Sequence, residues 1–330
     1  MNKKKKVILI ILCILLSLVI IATASFFTLQ YLGKKNLHKD DKNITATGVT
    51  VEDDIVSYNG KNYKLNPDVV SILIMGVDKE DISDNKGYGK NGQADCIFVA
   101  AVNTKTKSIK MIPLSREIMV DVDTFSKGGI FKGVEHEQLC LAYAYGNTPE
   151  KSCENVMTSV SRVLYGINVS YYAAVDMKGL RKFTTTIGGV DVKSNENIGK
   201  FKAGENVTVA GDSALSFIRS RGEDLEANNR RMERQKMFLK GLVSKTANLV
   251  SEKFTRLATY YSTMSPYTTT NMSLSELTYL ATGVLSRNLG SNIEYKTVTG
   301  TMNLGEHAEF TVDEATMLPI IFDCFYMPVK

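Results

Sequence analysis

Residues 71–117 read SILIMGVDKEDISDNKGYGKNGQADCIFVAAVNTKTKSIKMIPLSRE. Three apolar runs stand out, at 71–76, 96–103 and 108–113. Each is too short for a typical helix and is bounded by polar, glycine-bearing or lysine-bearing turns, which marks buried strands. The turn TKTK joins the second and third runs closely enough for them to be sheet neighbours. Asp78 follows the first run and Asp95 precedes the second. If those strands are antiparallel neighbours, the end of one meets the start of the other, and both acids share one sheet edge. Open α/β sheets place their sites at such strand ends. Arg116 follows the third run.

The remaining chain supplies helices and further strands. VSYNGKNYKLN (56–66) has Asn-Gly between alternating segments and reads as a hairpin. TPEKSCENVMTSVSRVLYG (148–166) is a helix, with Thr148 as cap, Pro149 in the first turn and Gly166 at the end. VSYYAAVD (169–176) is a strand with a helix opening near Asp176, and GGVDV (188–192) is a turn plus strand. Asp212 is the expected cap of a helix carrying Ala214, Leu215 and Ile218. A longer helix is expected from about Asn229 to Glu252. Arg231, Gln235, Phe238 and Leu242 share one of its faces at spacings of four, three and four. SLSE (273–276) is a capping box for a helix reaching about residue 286. The fold class is therefore α/β, one domain from about 70 to 330 with a central mixed β-sheet flanked by helices.

The N-terminus adds a membrane element. Lys3 to Lys6 precede Val7 to Leu29, 23 residues without a charge. About 20 apolar residues span a bilayer, and the lysines keep their end cytoplasmic. The expected organisation is a cytoplasmic tail (1–6), a transmembrane helix (7–29), a linker and hairpin (30–69) and an extracytoplasmic domain (70–330). A cleaved signal peptide, with Ala22–Ala24 as the small-residue site, is the competing reading. The net charge is +5, and the four lysines account for +4 of it, leaving +1 for the rest. Nucleic-acid binding calls for a strongly basic domain, so none is expected. Cys96, Cys140, Cys153 and Cys324 fall outside the apolar run, where disulfides are permitted, and Cys96 reads as a buried thiol in its strand. No CxxC occurs and the three histidines are scattered, which argues against zinc.

Two segments invite chemistry. GYGKNG (87–92) fits G-x-G-x-x-G literally, but it precedes a strand instead of opening a helix, so it reads as a flexible loop. FIRSRGEDLEANNRRMERQ (217–235) carries Arg219, Arg221, Arg230, Arg231 and Arg234. Guanidinium forks match phosphate oxygens. Two carboxylates at a strand edge suit a hard cation such as Mg²⁺, which retains water and substrate phosphate. Arginines gathered around such an ion would form a pyrophosphate site. The residues alone leave open that Asp78 and Asp95 are loop acids, and that the arginines pair with Glu223, Asp224, Glu226 and Glu233 on a charged surface.

The segments ILIMGVD, ADCIFVAAVNTKTKSIKMIPLSRE, LAYAYG, GINVSYYAAVDMKGL, IGGVDV and ALSFIRSR followed by RRMERQ, in this order and spacing, resemble the LytR-CpsA-Psr family of membrane-anchored wall-assembly proteins of Gram-positive bacteria. The resemblance covers roughly residue 70 to the C-terminus. It implies a phosphotransferase that moves a glycopolymer, a teichoic acid or a capsular or wall polysaccharide, from a polyprenyl-pyrophosphate lipid onto a muramic-acid hydroxyl of peptidoglycan. It implies Asp78 and Asp95 as ligands of Mg²⁺, with Mn²⁺ the alternative ion. It also implies Arg116, Arg219, Arg221 and Arg231 on the pyrophosphate, with Gln235 beside it; Asp95, Arg116 and Arg219 would be catalytic. An apolar pocket for the lipid is expected between CIFVAAV and helices such as NVMTSVSRVLYG. The chain departs from the pattern where Gln93 replaces an arginine two residues before the second Asp, where Cys96 follows that Asp and Glu117 replaces an aspartate, and where Gln138, Leu139 and Cys140 replace Lys-Ile-Asn. It departs again where Asn228 replaces an acid; Asp224 or Glu226 could serve instead. A pyrophosphate hydrolase on the same substrates and a non-catalytic wall- or lipid-binding protein are the other classes to be tested.

Overall fold

The structure is a computed structural model that describes residues 23–35, 46, 49–52, 54–84, 89–126, 128–220, 227–284 and 293–329, without the side chain of Asn228. Six strands form the central sheet: β1 (Val69–Val77), β2 (Ala94–Asn103), β3 (Ser108–Leu114), β4 (Tyr171–Val175), β5 (Thr268–Thr270) and β6 (Ile293–Tyr295). Their spatial order is β5-β4-β1-β2-β3-β6. β1 and β4 are parallel, as are β3 and β6, while β2 runs antiparallel to both its neighbours. The mixed sheet expected from sequence is present, and β1, β2 and β3 are the three apolar runs of the opening stretch.

The helices are α1 (Pro149–Val163), α2 (Met177–Thr186), α3 (Asp212–Arg219), α4 (Ala227–Glu252), α5 (Thr255–Met264), α6 (Leu274–Tyr279) and α7 (Glu314–Phe325). Thr148 caps α1 by accepting from Lys151 N, and Asp176 caps α2 by accepting from Gly179 N. Ser273 and Glu276 make the reciprocal capping box of α6. The period-two alternation of β2 separates two cores. Ile97, Val99 and Ala101 face α1 and α7, packing with Val156, Val160 and Ile321. Phe98, Ala100 and Val102 face the opposite side, toward Ala247 of α4 and the turn after α6. A third cluster joins α3 and α4 to the hairpin Val190–Lys193/Asn206–Val209 through Val190, Phe217 and Phe238. The Asn59-Gly60 turn is left-handed at both residues, with φ of 49° and 70°, as that dipeptide requires.

Two expectations change. Asp212 is the first residue of α3 and not its cap; Gly211, at φ 56°, holds the cap position, and Asp212 pairs with Arg181 at 2.7 Å. α6 ends at Tyr279 and passes into a π-helical turn, Leu280–Val284. Of the expected transmembrane run, only residues 23–29 are described, within a helix over residues 23–35. Lys3–Lys6, Cys13 and residues 7–22 lie outside the described residues, and no described helix is long and apolar enough to cross a membrane. Cys96, Cys140, Cys153 and Cys324 are free thiols.

Candidate functional site

The acids meet because the β1–β2 ladder ends in a bulge. Gly76 pairs with Cys96, the register then shifts so that Val77 faces Ala94, and Asp78 N donates to Gln93 O at 2.9 Å. Asp78 and Asp95 therefore leave the same edge of the sheet. Arg116, just past β3, reaches Asp95 Oδ1 with Nη1 at 2.7 Å. Its Nη2 donates to Gln93 Oε1 and, at 3.2 Å, to Cys140 Sγ. Arg219 closes α3 and donates from Nη2 to Asp78 Oδ1 at 2.9 Å. Arg231 and Gln235 reach the same cavity from α4 and are 5% and 7% exposed. The helical phasing read from sequence holds: Arg231, Gln235, Phe238 and Leu242 all line it.

This cavity measures about 340 Å³ and brings Asp78, Asp95, Arg116, Arg219, Arg231 and Gln235 together. Arg221, Asp224, Glu226 and the side chain of Asn228 lie outside the described residues. Burial pushes the Asp95 carboxyl above the usual aspartate range; Arg116 and Arg231 oppose that shift, Asp78 adds to it, and Arg219 opposes it again. Each of these charges is therefore near enough to be felt at Asp95. Asp95 Oδ1 is buried and lacks a well-aligned hydrogen bond, so its close approach to Arg116 is an ion pair of poor angle. Arg116 Nε is also buried and has no hydrogen-bond partner. Both atoms fit a polar ligand that completes the site, since a buried unpaired polar atom costs about 1–3 kcal/mol. Burial raises the Cys96 thiol to about 12, which keeps it an inert neighbour.

A second chamber of about 450 Å³ continues from the first, and Ile74 and Leu242 line both. Its walls are apolar: Ala100 and Val102 of β2, Ala247 and Val250 of α4, Leu257 of α5 and Leu280 beyond α6. The expectation of an apolar pocket against CIFVAAV is met. Its helical wall is α4 to α6, not α1. Val156 and Val160 of α1 lie on the other face of the sheet, in plain core, because the alternation of β2 sends odd and even residues to different layers.

Sequence reasoning missed Arg234. Far from a solvated face, it is 0% exposed. Its Nε donates to Phe217 O at 2.9 Å, its Nη2 to Ser220 O and its Nη1 to Glu196 Oε1. It thus holds the C-terminal carbonyls of α3, the turn that carries Arg219. Arg230 pairs with Glu196 at 3.0 Å. A fully buried arginine gives no periodic signal distinct from its charged neighbours. Asp176 also lines the cavity; burial raises its pKa, and the backbone N–H groups of Gly179 and Ile82 oppose that shift. Of the GYGKNG loop, residues 89–92 are described, with Gly89 at φ 71° and Gly92 at φ 89°; this part leads into β2 and opens no helix, as expected. Among the described residues, no group of three or more His, Cys, Asp or Glu could hold a metal by itself.

The family model LytR_cpsA_psr matches residues 29–319. A polyisoprenyl-teichoic acid–peptidoglycan teichoic acid transferase TagU of Enterococcus faecalis is 28% identical over 230 residues, 68% of this chain and 69% of that protein. The TagU of Bacillus subtilis is 32% identical over 188 residues, 56% of this chain and 54% of that protein. Among solved structures, B. subtilis TagV superposes with a TM-score of 0.62 at 21% identity, covering 79% of this chain and 97% of that one. A structure of TagT bound to LIIa-WTA superposes with a TM-score of 0.58 at 20% identity, covering 78% of this chain and 89% of that one. With the family model spanning most of the sequence and the mixed sheet reproduced, the chain belongs to the LytR-CpsA-Psr family.

Proposed function

We propose that the protein is a phosphotransferase that moves a glycopolymer, a teichoic acid or another wall polysaccharide, from a polyprenyl-pyrophosphate carrier to peptidoglycan. The observation that carries this reading is the junction at Ile74 and Leu242, where a cavity of guanidinium and carboxylate groups opens into an apolar chamber. A substrate with a doubly charged centre and a long hydrocarbon tail matches both halves. The names of the TagU relatives, and the LIIa-WTA bound to TagT, agree with that substrate class.

Arg116, Arg219 and Arg231 would hold the pyrophosphate, with Gln235 donating to one of its oxygens and Arg221 completing the set from outside the described residues. Phosphoryl transfer depends chiefly on such positioning and charge stabilisation. The muramic-acid hydroxyl gives up its proton to solvent water, and its oxygen forms a bond to the phosphorus that carries the glycopolymer. The bond from that phosphorus to the bridging oxygen breaks, and polyprenyl phosphate leaves with its charge against the arginines. Asp78 and Asp95 fit Mg²⁺, or Mn²⁺ in its place: both are hard oxygen donors, and Asp95 Oδ1, beyond its ion pair with Arg116, makes no hydrogen bond. Such an ion, completed by substrate oxygens and water, would supply charge neutralisation at the pyrophosphate. The lipid-linked donor places the reaction at the outer face of a cell membrane, with residues 7–29 as the anchor and residues 70–330 as the catalytic unit.

The test is an assay of purified chain with labelled lipid-linked donor, with and without peptidoglycan. Label attached to peptidoglycan supports the reading. Release of label at the same rate without acceptor makes the protein a hydrolase, and neither attachment nor release makes it a binding protein.

A further inference from the structure

The helix over residues 23–35 is clamped onto the wall of the apolar chamber. Phe26, Gln30 and Gly33 share one face at spacings of four and three. Phe26 meets the ring of Phe254 edge-on at 5.1 Å, and Gln30 Nε2 donates to Thr282 Oγ1 at 2.6 Å. At Gly33 the approach is so close that a Cβ would lie 2.2 Å from Ser275 O and 2.9 Å from Tyr279 Cβ. The elements gripped in this way, α6 and its π-helical turn, contribute Leu277, Leu280, Ala281 and Val284 to the chamber.

The other face of the helix is apolar and open. Phe27, Tyr31 and Leu32 are 65%, 68% and 41% exposed. On the domain, Phe254 (37%), which meets Phe26, and Tyr261 (36%), whose ring also borders the chamber, are exposed two helical turns apart on one face. Lys34, Lys35 and Lys253 are exposed beside it. Large exposed aromatic patches of this kind mark interaction sites, and rings with a polar or wet edge favour the bilayer interface. Only one occupant fits where the chain leads. The described helix starts at residue 23, inside the uncharged run Val7–Leu29, so an apolar phase that receives that run begins at the N-terminal end of this helix. Lysines flanking the aromatic surface match anionic headgroups.

We infer that the aromatic face formed by Phe27, Tyr31, Leu32, Phe254 and Tyr261 docks on the surface of an anionic phospholipid bilayer, and that the Gly33 clamp fixes the wall of the apolar chamber there. This rests on the function proposed above. It adds that the domain is not tethered freely. The hydrocarbon tail then passes from bilayer to chamber along α5 and α6 without crossing water.

The chain contains no tryptophan, so Phe254→Trp in the full-length protein is a sole reporter, and Phe254 is not among the residues lining the chamber. The protein is reconstituted into vesicles of phosphatidylglycerol and phosphatidylcholine carrying brominated acyl chains. The expected result is strong quenching, greater with bromine near the headgroup than near the chain end. Gly33→Leu in the same reporter should return emission most of the way to that in unbrominated vesicles, because the helix can no longer seat on Ser275. Unquenched emission from Phe254→Trp overturns the inference whatever the Gly33 variant does. A blue shift that grows with protein concentration but ignores bromine would instead make the face a contact between copies. Transfer activity without quenching refutes the docking alone; quenching without transfer refutes the enzyme reading alone.

Discussion

Arg234→Met is the perturbation that most directly separates support from chemistry. Arg234 is fully buried and is the common donor to Phe217 O, Ser220 O and Glu196. Burial lowers its pKa and Glu196 raises it again, so the pair is a desolvated ion pair and not a surface contact. Methionine fills most of the volume but leaves two carbonyls without a donor and Glu196 without its buried partner. Breaking such a pair by removing one side costs about 3–5 kcal/mol. The three contacts belong to one network, so their costs do not add. For a domain of this size the loss corresponds to a fall in Tm of roughly 6–20 °C. Arg230→Ala removes a pair whose arginine is 37% exposed and should cost about 0–1 kcal/mol. The functional effect should fall on kcat more than on KM, because the loosened turn carries Arg219, and a displacement near 1 Å can cost about 100-fold. Arg234→Lys keeps the charge without the fork and should fall between the two. The assay is urea unfolding followed by transfer kinetics at a temperature where the variant is folded. An unfolding free energy of Arg234→Met within about 0.5 kcal/mol of wild type would refute the reasoning.

Further expectations follow from the cavity. Arg116→Ala and Arg219→Ala should each lower the transfer rate by about 100- to 1,000-fold. Arg219→Ala should do so with little loss of stability, since the Arg219–Asp78 pair is about half exposed; undiminished transfer by either would remove that residue from the site. Asp95 has its pKa raised in the fold by burial, so the folded state binds its proton more readily than the unfolded chain. Its contribution therefore favours the fold at acid pH. It is lost as pH climbs from the ordinary aspartate value through the raised folded value. Transfer requires the carboxylate and should rise over that same window; Asp95→Asn should abolish transfer and flatten that part of the pH–stability curve, and an unchanged curve would contradict the raised pKa. Ala247→Phe places a ring in the apolar chamber and should raise KM for a full-length polyprenyl donor far more than for a short-chain analogue, at a stability cost of about 1–3 kcal/mol. Equal effects on both donors would show that the tail does not use the chamber.

The residues that were legible in sequence are those whose signal is local. The runs 71–76, 96–103 and 108–113 became strands because apolar length and turn chemistry agree. Placing Asp78 and Asp95 together needed only their antiparallel pairing, and the register supplied it. The face of Arg231, Gln235, Phe238 and Leu242 followed from helical period alone. What was not legible depends on tertiary choice. CIFVAAV and NVMTSVSRVLYG are both apolar, but whether a given residue meets cavity or core depends on which layer each helix joins. Arg234 looked like its charged neighbours because burial of an arginine is decided by the carbonyls it meets, Phe217 O and Ser220 O, seventeen and fourteen residues away. Gly33 gave no sign of its contact with Ser275, which joins segments with no pattern in common.

The departures from the family pattern become connected in three dimensions. Gln93 stands where the pattern has an arginine, and Cys140 where it has an asparagine, 47 positions apart along the chain. Both side chains accept from the same nitrogen, Nη2 of Arg116. An arginine at position 93 would set a second guanidinium against Arg116, and that repulsion would need an anion to relieve it. Gln93 Oε1 replaces repulsion by a hydrogen bond to a charged donor, worth about 1.5–3 kcal/mol when made in the interior. Cys140 Sγ is a weaker acceptor than an amide oxygen, so Gln93 and Asp95 carry most of the restraint on Arg116. Under the proposed function this chain would meet a pyrophosphate with one positive charge fewer than the pattern supplies, but with Arg116 already fixed by Asp95, Gln93 and Cys140. Preorganisation of that kind lowers the ordering cost of binding, and it offsets part of the lost Coulombic attraction at the one arginine held by both sequence departures.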